Sequence, residues 1–153
     1  IEAFEDCRSK EDRLILAGNP AGSDMRAKVE DQTKQKDRII THFGFIPNEL
    51  VQLYMNASDI VVLPYEDITT SGSAILAMSF GKPVIVPNIG CNPELIDPHG
   101  GIMYTPPEEG VPHAMSKVNE SDLVEMGVHN LRRVKQFKWD TTAKRTRDVY
   151  QKL

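Results

Sequence analysis

Residues 59–86 leave little freedom in how this chain can fold. They read, in order, as a buried strand, a polar loop, a helix that is apolar on nearly every side, and a second buried strand. The first block, Asp59-Ile60-Val61-Val62-Leu63, is rich in β-branched residues and suits a strand covered on both faces. Pro64 stops it. Any of Thr69, Thr70 or Ser71 can cap the following helix by accepting a hydrogen bond from a backbone N–H two or three residues on. The helix runs to Phe80 and ends with Gly81 in the left-handed position and Pro83 two residues later. Val84-Ile85-Val86 is the next strand. Because Ala74-Ile75-Leu76-Ala77-Met78 is apolar almost all round, this helix is expected deep against a sheet, with its N-terminus rigidly placed.

The same alternation extends along the chain. Leu14-Ile15-Leu16-Ala17 predicts a strand stopped by Gly18-Asn19-Pro20, followed by a polar outer helix over residues 24–34 and a strand at Ile39-Ile40-Thr41. Pro47-Asn48 opens a helix whose Leu50, Val51, Leu53, Tyr54 and Ala57 share one face. Later come a helical turn at Pro93-Glu94-Leu95-Ile96, a strand at Gly101-Ile102-Met103-Tyr104 and a surface loop over 105–112. Two final helices follow, 119–136 with Leu123, Val124, Val128, Leu131 and Val134 inward, and one that starts after Asp140 and runs to the end. Strands separated by single helices imply right-handed parallel crossovers, hence a Rossmann-like α/β fold, a doubly wound parallel sheet between two helical layers.

With 153 residues and 40% hydrophobic content the chain can bury one good core, so a single domain over 1–153 is expected. A formal net charge of −4 argues against a nucleic-acid partner. Cys7 and Cys91 share no metal-ligand spacing and read as reduced thiols of a cytoplasmic protein. The sequence has no membrane-length apolar run and no signal peptide. Its first residue is Ile1, and IEAFEDC already reads as a helix under way, so the chain is expected to be a fragment. Arg132, Arg133, Lys135, Lys138, Lys144, Arg145 and Arg147, interleaved with Phe137 and Trp139, read as a solvated helical face interrupted by Asp140 and Asp148. Peripheral membrane contact is the competing reading.

In doubly wound sheets ligands sit outside the carboxyl ends of the strands. Gly18-Asn19, Phe43-Gly44-Phe45, the loop 64–73 and Asn88 to Cys91 all follow strands and belong to that edge, whereas Lys10 and Lys82 precede strands and fall on the other. The edge offers Asn19, Thr69, Thr70, Ser71, Ser73 and Asn88, with Glu66, Asp67 and Glu94 nearby, which suits a phosphorylated, sugar-like ligand. Backbone N–H groups of Gly72, Ser73 and Ala74 can hold a phosphate oxygen, and Gly72 permits close approach. Ser71-Gly72-Ser73 reads equally well as a plain helix cap and turn. No Asp-x-Asp metal signature appears, and His42, His99, His113 and His129 are scattered; His42 reads as packed or solvent-facing.

The order of these pieces resembles the C-terminal, donor-binding domain of retaining GT-B glycosyltransferases of the group 1 type. IEAFEDC resembles the helix after that domain's first strand and RLILAGNP its second strand and glycine turn. HFGFIPNELVQLYMNASDIVVLPY and GKPVIVPNIGCNPELIDPHGGIMYTPP resemble the two stretches that follow. The resemblance implies that Thr70 to Ser73 hold the diphosphate of a UDP- or GDP-linked sugar, with Phe45 and Ile46 beside the base and Gly18 and Asn19 bordering the cleft. Packing for Phe45 and a local cap for Glu94 are the competing readings, against a family glutamate near the donor in the latter case. It also implies transfer of a sugar to an acceptor hydroxyl with retention, no cofactor and no obligatory metal, and an N-terminal acceptor-binding domain in the same polypeptide.

Departures from the family pattern qualify this. Its paired glutamates, eight positions apart, correspond to Ile68 and Leu76, so contacts to the transferred sugar and the ribose do not carry over; Glu66 or Asp67 is the expected substitute for the first. Catalytic residues are not assigned. The Arg and Lys that neutralise the diphosphate belong to a glycine-rich loop expected upstream, so the isolated chain is expected to bind weakly and not to catalyse transfer. A sugar-nucleotide epimerase of the same fold and a degenerate binding domain are the alternatives.

Overall fold

The computed structural model describes residues 1–7 and 9–152, the side chain of Cys7 excepted. Helices and strands alternate: α1 Glu2–Cys7, β1 Leu14–Gly18, α2 Ser23–Thr33, β2 Ile39–Phe43, α3 Asn48–Ala57, β3 Val61–Val62, α4 Gly72–Ser79, β4 Val84–Pro87, α5 Asn92–Leu95, β5 Gly101–Tyr104, α6 Val111–Ser116, α7 Leu123–Arg133 and α8 Trp139–Tyr150. Single 3₁₀ turns at Lys117–Glu120 and Val134–Phe137 link the last three helices.

Every strand pair is parallel, and the architecture is the expected three-layer α/β/α. The expected continuous sheet is, however, divided in two. One part has the order β1-β2, with Leu14 opposite Ile39 and Gly18 opposite Phe43. The other has the order β3-β4-β5, with Val61 opposite Val84 and Val84 opposite Gly101.

The core is built on β4, every residue of which is buried. Its alternating side chains serve both faces. Ile85 packs with Phe4, Ile102, Tyr104, Met115 and Met126 on one side, and Val84 and Val86 pack with Ala74, Ala77, Met78 and Ile96 on the other. The apolar helix α4 thus lies against β4 as its composition requires, except that Leu76 is 37% exposed. Gly81 takes φ 65° at its end, as expected.

Three expectations need correction. The block 59–63 forms only the short strand β3 and is half-buried, because one of its edges pairs with β4 while the other borders a cavity. The apolar face of α3 is uncovered: Leu50 and Leu53 are 42% and 60% exposed, and Val51 and Tyr54 face the same cavity. On α7, Leu123 packs inward as expected, but Val124 and Val128 are exposed, Leu131 is 44% exposed although it lies against Gly81, and the buried residues are Met126, Gly127 and Asn130. Close approach decides that last reversal. A Cβ on Gly127 would sit 2.2 Å from the Gly81 carbonyl oxygen, and the Asn130 amide donates to the carbonyls of Lys82 at 2.9 Å and Gly100 at 2.7 Å.

Part of the segment read as loop is helix α6, begun by Val111-Pro112. Trp139 is 87% exposed on α8, which buries none of its residues. Arg133 leaves the solvated face expected for it and instead reaches Asp97. Cys91 is a free thiol, whereas the expectation for the Cys7 thiol lies outside the described residues. No described helix is long and apolar enough to cross a membrane.

Candidate functional site

The loop between β3 and α4 and the loops after β1, β2 and β4 follow the carboxyl ends of their strands. Of the three possible caps, Ser71 is the one used. Its buried hydroxyl oxygen accepts from the Ala74 N–H at 3.0 Å and lies 3.2 Å from the Tyr65 hydroxyl. Thr69 and Thr70 are exposed. The Ala74 N–H is therefore not available to a ligand, which corrects the sequence reading. Gly72 and Ser73 remain exposed, their N–H groups have no acceptor among the described residues, and no atom lies within 4 Å of where a Gly72 Cβ would stand. The first N–H groups of a helix are unsatisfied by construction and carry the positive end of its dipole.

The rest of the loop is held from beneath. Gly90, at φ 54°, presses against it so closely that a Cβ there would lie 2.0 Å from the Ile68 carbonyl oxygen. Ile68 is thus a supporting residue, half-buried over the turn between β4 and α5. Below that turn the Asn92 amide donates to the Pro87 carbonyl at 2.9 Å, while its buried Oδ1 has no partner among the described residues.

The Gly44 N–H donates to the Gly18 carbonyl at 3.0 Å, so the Gly18-Asn19 and Phe45-Ile46 turns are neighbours. Phe45 is 83% exposed, which sets aside the packing role weighed for it. Ile46, Pro64, Ser73 and Leu76 line one cavity of about 1430 Å³ between the two sheets. Glu66, Asp67 and Glu94 are exposed carboxylates, and no contact ties them to the Gly72-Ser73 amides. No three described His, Cys, Asp or Glu residues converge as a metal site. His42 is exposed, the solvent-facing of its two readings, and its Nδ1 lies 2.9 Å from the Tyr54 hydroxyl.

Two side chains escaped the sequence reading. Tyr65 backs the cap, and no spacing rule would have found it. Arg26 lies over the Phe43 ring at 5.3 Å, at the carboxyl end of β2, and is held by Glu30 at 2.8 Å. Its only signal was the four-residue Arg/Glu spacing of an exposed helix.

Away from this edge, Asp97 accepts from His129 Nε2 at 3.1 Å and forms an ion pair with Arg133 Nη1 at 3.0 Å. Arg133 also donates to the Leu95 and Glu94 carbonyls, so α7 is clasped to α5. Burial pushes the Asp97 carboxyl up, but hydrogen bonds from His129 and the His99 amide, with the His129 and Arg133 charges, leave it below its ordinary value. Burial raises the Tyr104 phenol.

A family model described as glycosyl transferases group 1 matches residues 1–121. The chain belongs to that family. It is 30% identical over 100 residues to a GDP-mannose:glycolipid 4-beta-D-mannosyltransferase of Xanthomonas campestris pv. campestris, 65% of this chain and 29% of that protein. It is 26% identical over 145 residues to an uncharacterized glycosyltransferase of Methanocaldococcus jannaschii, 90% of this chain and 36% of that one. The chain therefore spans about a third of the length of these relatives. Its fold is that of Anabaena HepE in complex with UDP, at TM-score 0.84 and 19% identity over 99% of this chain and 44% of the other. The C-terminal domain of a group 1 protein from Francisella tularensis matches at TM-score 0.73 and 22% identity, covering 88% of this chain and 75% of that domain.

Proposed function

We propose that this chain is the donor-binding domain of a glycosyltransferase that moves a sugar from a UDP- or GDP-linked donor to an acceptor hydroxyl, with retention and without an obligatory metal. The observation that carries the reading is the start of α4, where exposed Gly72 and Ser73 carry N–H groups with no acceptor among the described residues. Hydrogen bonds from neutral donors to a charged diphosphate contribute about 1.5–3 kcal/mol each. The helix dipole adds up to about 1 kcal/mol at an exposed site. Phe45 and Ile46 supply an apolar platform for the base, with Gly18 and Asn19 beside it, and the exposed Glu66 and Glu94 are the carboxylates assigned to the sugar hydroxyls. Support for a nucleotide-sugar comes from the group 1 membership and from the likeness to HepE, solved with UDP.

Two amides and a dipole make an incomplete clamp, so the isolated chain binds weakly and does not catalyse; an acceptor-binding domain in the same polypeptide completes the site. The test is a screen of nucleotide-sugars against the full-length protein, scoring thermal shift together with sugar transfer. Transfer from one UDP- or GDP-sugar, abolished without the acceptor domain, is expected. Thermal shift without transfer from any donor would leave a degenerate binding domain instead, and inversion of the donor sugar without an acceptor would mark an epimerase.

A further inference from the structure

Helix α5, Asn92–Leu95, carries Glu94 and is too short to hold itself in place. At its front, the preceding turn is fixed against the loop between β3 and α4 by the close approach of Gly90 to the Ile68 carbonyl. The Asn92 amide ties the same turn to the Pro87 carbonyl at 2.9 Å. At its rear, a helix ends in carbonyls for which it has no donors of its own. Here the Leu95 carbonyl accepts from Arg133 Nε at 2.7 Å and the Glu94 carbonyl from Arg133 Nη2 at 2.8 Å. The third nitrogen, Nη1, forms the ion pair with Asp97 at 3.0 Å. Asp97 also accepts from His129 Nε2 at 3.1 Å and from the His99 N–H at 3.0 Å, so the acceptor of that ion pair is itself fixed. With only 22% of its side chain exposed, Arg133 has all three guanidinium nitrogens engaged by the four residues from Glu94 to Asp97.

We propose that Arg133 is a positioning residue for Glu94: through the Glu94 and Leu95 carbonyls it sets the orientation in which the Glu94 carboxylate meets the hydroxyls of the transferred sugar. This rests on the assignment of Glu94 to the sugar made above. Arginine is needed because a planar fork reaches two carbonyls and a carboxylate at once. A lysine ammonium in its place is a single point charge, which stays with the charged partner, Asp97, and leaves the carbonyls without donors. The rear mount of α5 is then lost. Its front mount is made without Arg133, so the Gly72 and Ser73 amides and the Phe45-Ile46 platform keep their places. A misplacement of about 1 Å produced from a distance can cost on the order of 100-fold in a positioned site. Loss of the Arg133 contacts is therefore felt at the sugar and not at the nucleotide.

The test measures the affinities of the full-length protein and its Arg133→Lys, Glu94→Gln and Asp97→Asn variants for UDP-glucose, UDP-galactose, GDP-glucose and GDP-mannose, each against UDP or GDP alone. The quantity read is the ratio of nucleotide-sugar to nucleotide affinity. Glu94→Gln and Arg133→Lys should each lower it by on the order of tenfold, with bare-nucleotide affinity unchanged within about twofold. The double variant should lose no more than either single one, because both remove the same contact. Asp97→Asn loosens the same clasp but leaves both carbonyls their donors, so its ratio should hold. A lowered ratio in Glu94→Gln beside an unchanged one in Arg133→Lys overturns the proposal and leaves the donor reading intact. An equal loss in Asp97→Asn does the same, because it marks general loosening. An unchanged ratio in Glu94→Gln removes the sugar assignment and the proposal together, and binding of none of these ligands removes the donor reading as well. The Arg133 Nε–H resonance of the unmodified protein provides a second measurement that needs no variant to fold. It should shift more at saturation with the nucleotide-sugar than with the nucleotide, and equal shifts or none contradict the proposal.

Discussion

Ser71 and Gly90 set the geometry of the candidate site, and each does so through backbone it does not own. The Ser71 oxygen takes the Ala74 N–H and lies beside the Tyr65 hydroxyl, which leaves Gly72 and Ser73 as the free donors. Ser71→Ala should cost about 1 kcal/mol in urea unfolding, the usual loss for an N-cap. The cap was legible in the sequence as one of three hydroxyls. Which of them serves depends on where the loop settles, and Gly90 fixes that by admitting the Ile68 carbonyl where a Cβ would stand. Gly90→Ala should destabilise by at least about 1–2 kcal/mol from the left-handed backbone alone. It should also displace the loop, so weaker nucleotide binding is expected alongside the lower unfolding midpoint; unchanged binding would mean that the loop does not position the donor.

Among the elements, α4 and α7 show why one helix was readable and the other was not. In α4 the apolar residues nearly encircle the axis, so any orientation buries them, and the termination at Gly81 and Pro83 is local chemistry. In α7 the face with more aliphatic residues loses to a face holding Gly127 and Asn130, since only the glycine permits contact with the Gly81 carbonyl and only the amide satisfies two carbonyls beneath it. Periodicity ranks hydrophobicity and cannot see such contacts. The clasp from α7 to Asp97 also joins residues far apart in sequence. The Asp97 carboxyl is held below its ordinary value when folded, so its contribution is present above the unfolded carboxylate range and is lost as pH falls through the folded value. Unfolding stability should accordingly decline below about pH 4. In Asp97→Asn that part of the decline should be absent, with a loss on the order of 1 kcal/mol at neutral pH for these partly exposed pairs.

Across the whole molecule, the alternation of strands and helices was sufficient to give a parallel three-layer fold and to sort the loops onto one edge. What it could not give was the break in the sheet. Strand patterns report that a segment wants neighbours on both edges, and β3 has the composition of a central strand while pairing on one side only. The mismatch between composition and exposure at Ile60 to Leu63 and on α3 marks the cavity between the two sheets. Ile46, Pro64 and Ser73 line that same cavity, which therefore reaches the start of α4. With only the Gly72 and Ser73 amides and a helix dipole to hold a diphosphate, the 153-residue chain is expected to bind nucleotides weakly. Isothermal calorimetry of the 153-residue chain with UDP and GDP checks this, and micromolar affinity would contradict it.

Placement of the donor diphosphate on the exposed amides of α4 is tested most directly by following backbone amide resonances while UDP or GDP is titrated into the protein. The largest shifts are expected at Gly72 and Ser73, with smaller ones at Gly18, Asn19, Phe45 and Ile46 and little change at Ala74, whose N–H is already bound to Ser71. Saturable shifts that leave Gly72 and Ser73 unmoved would contradict it.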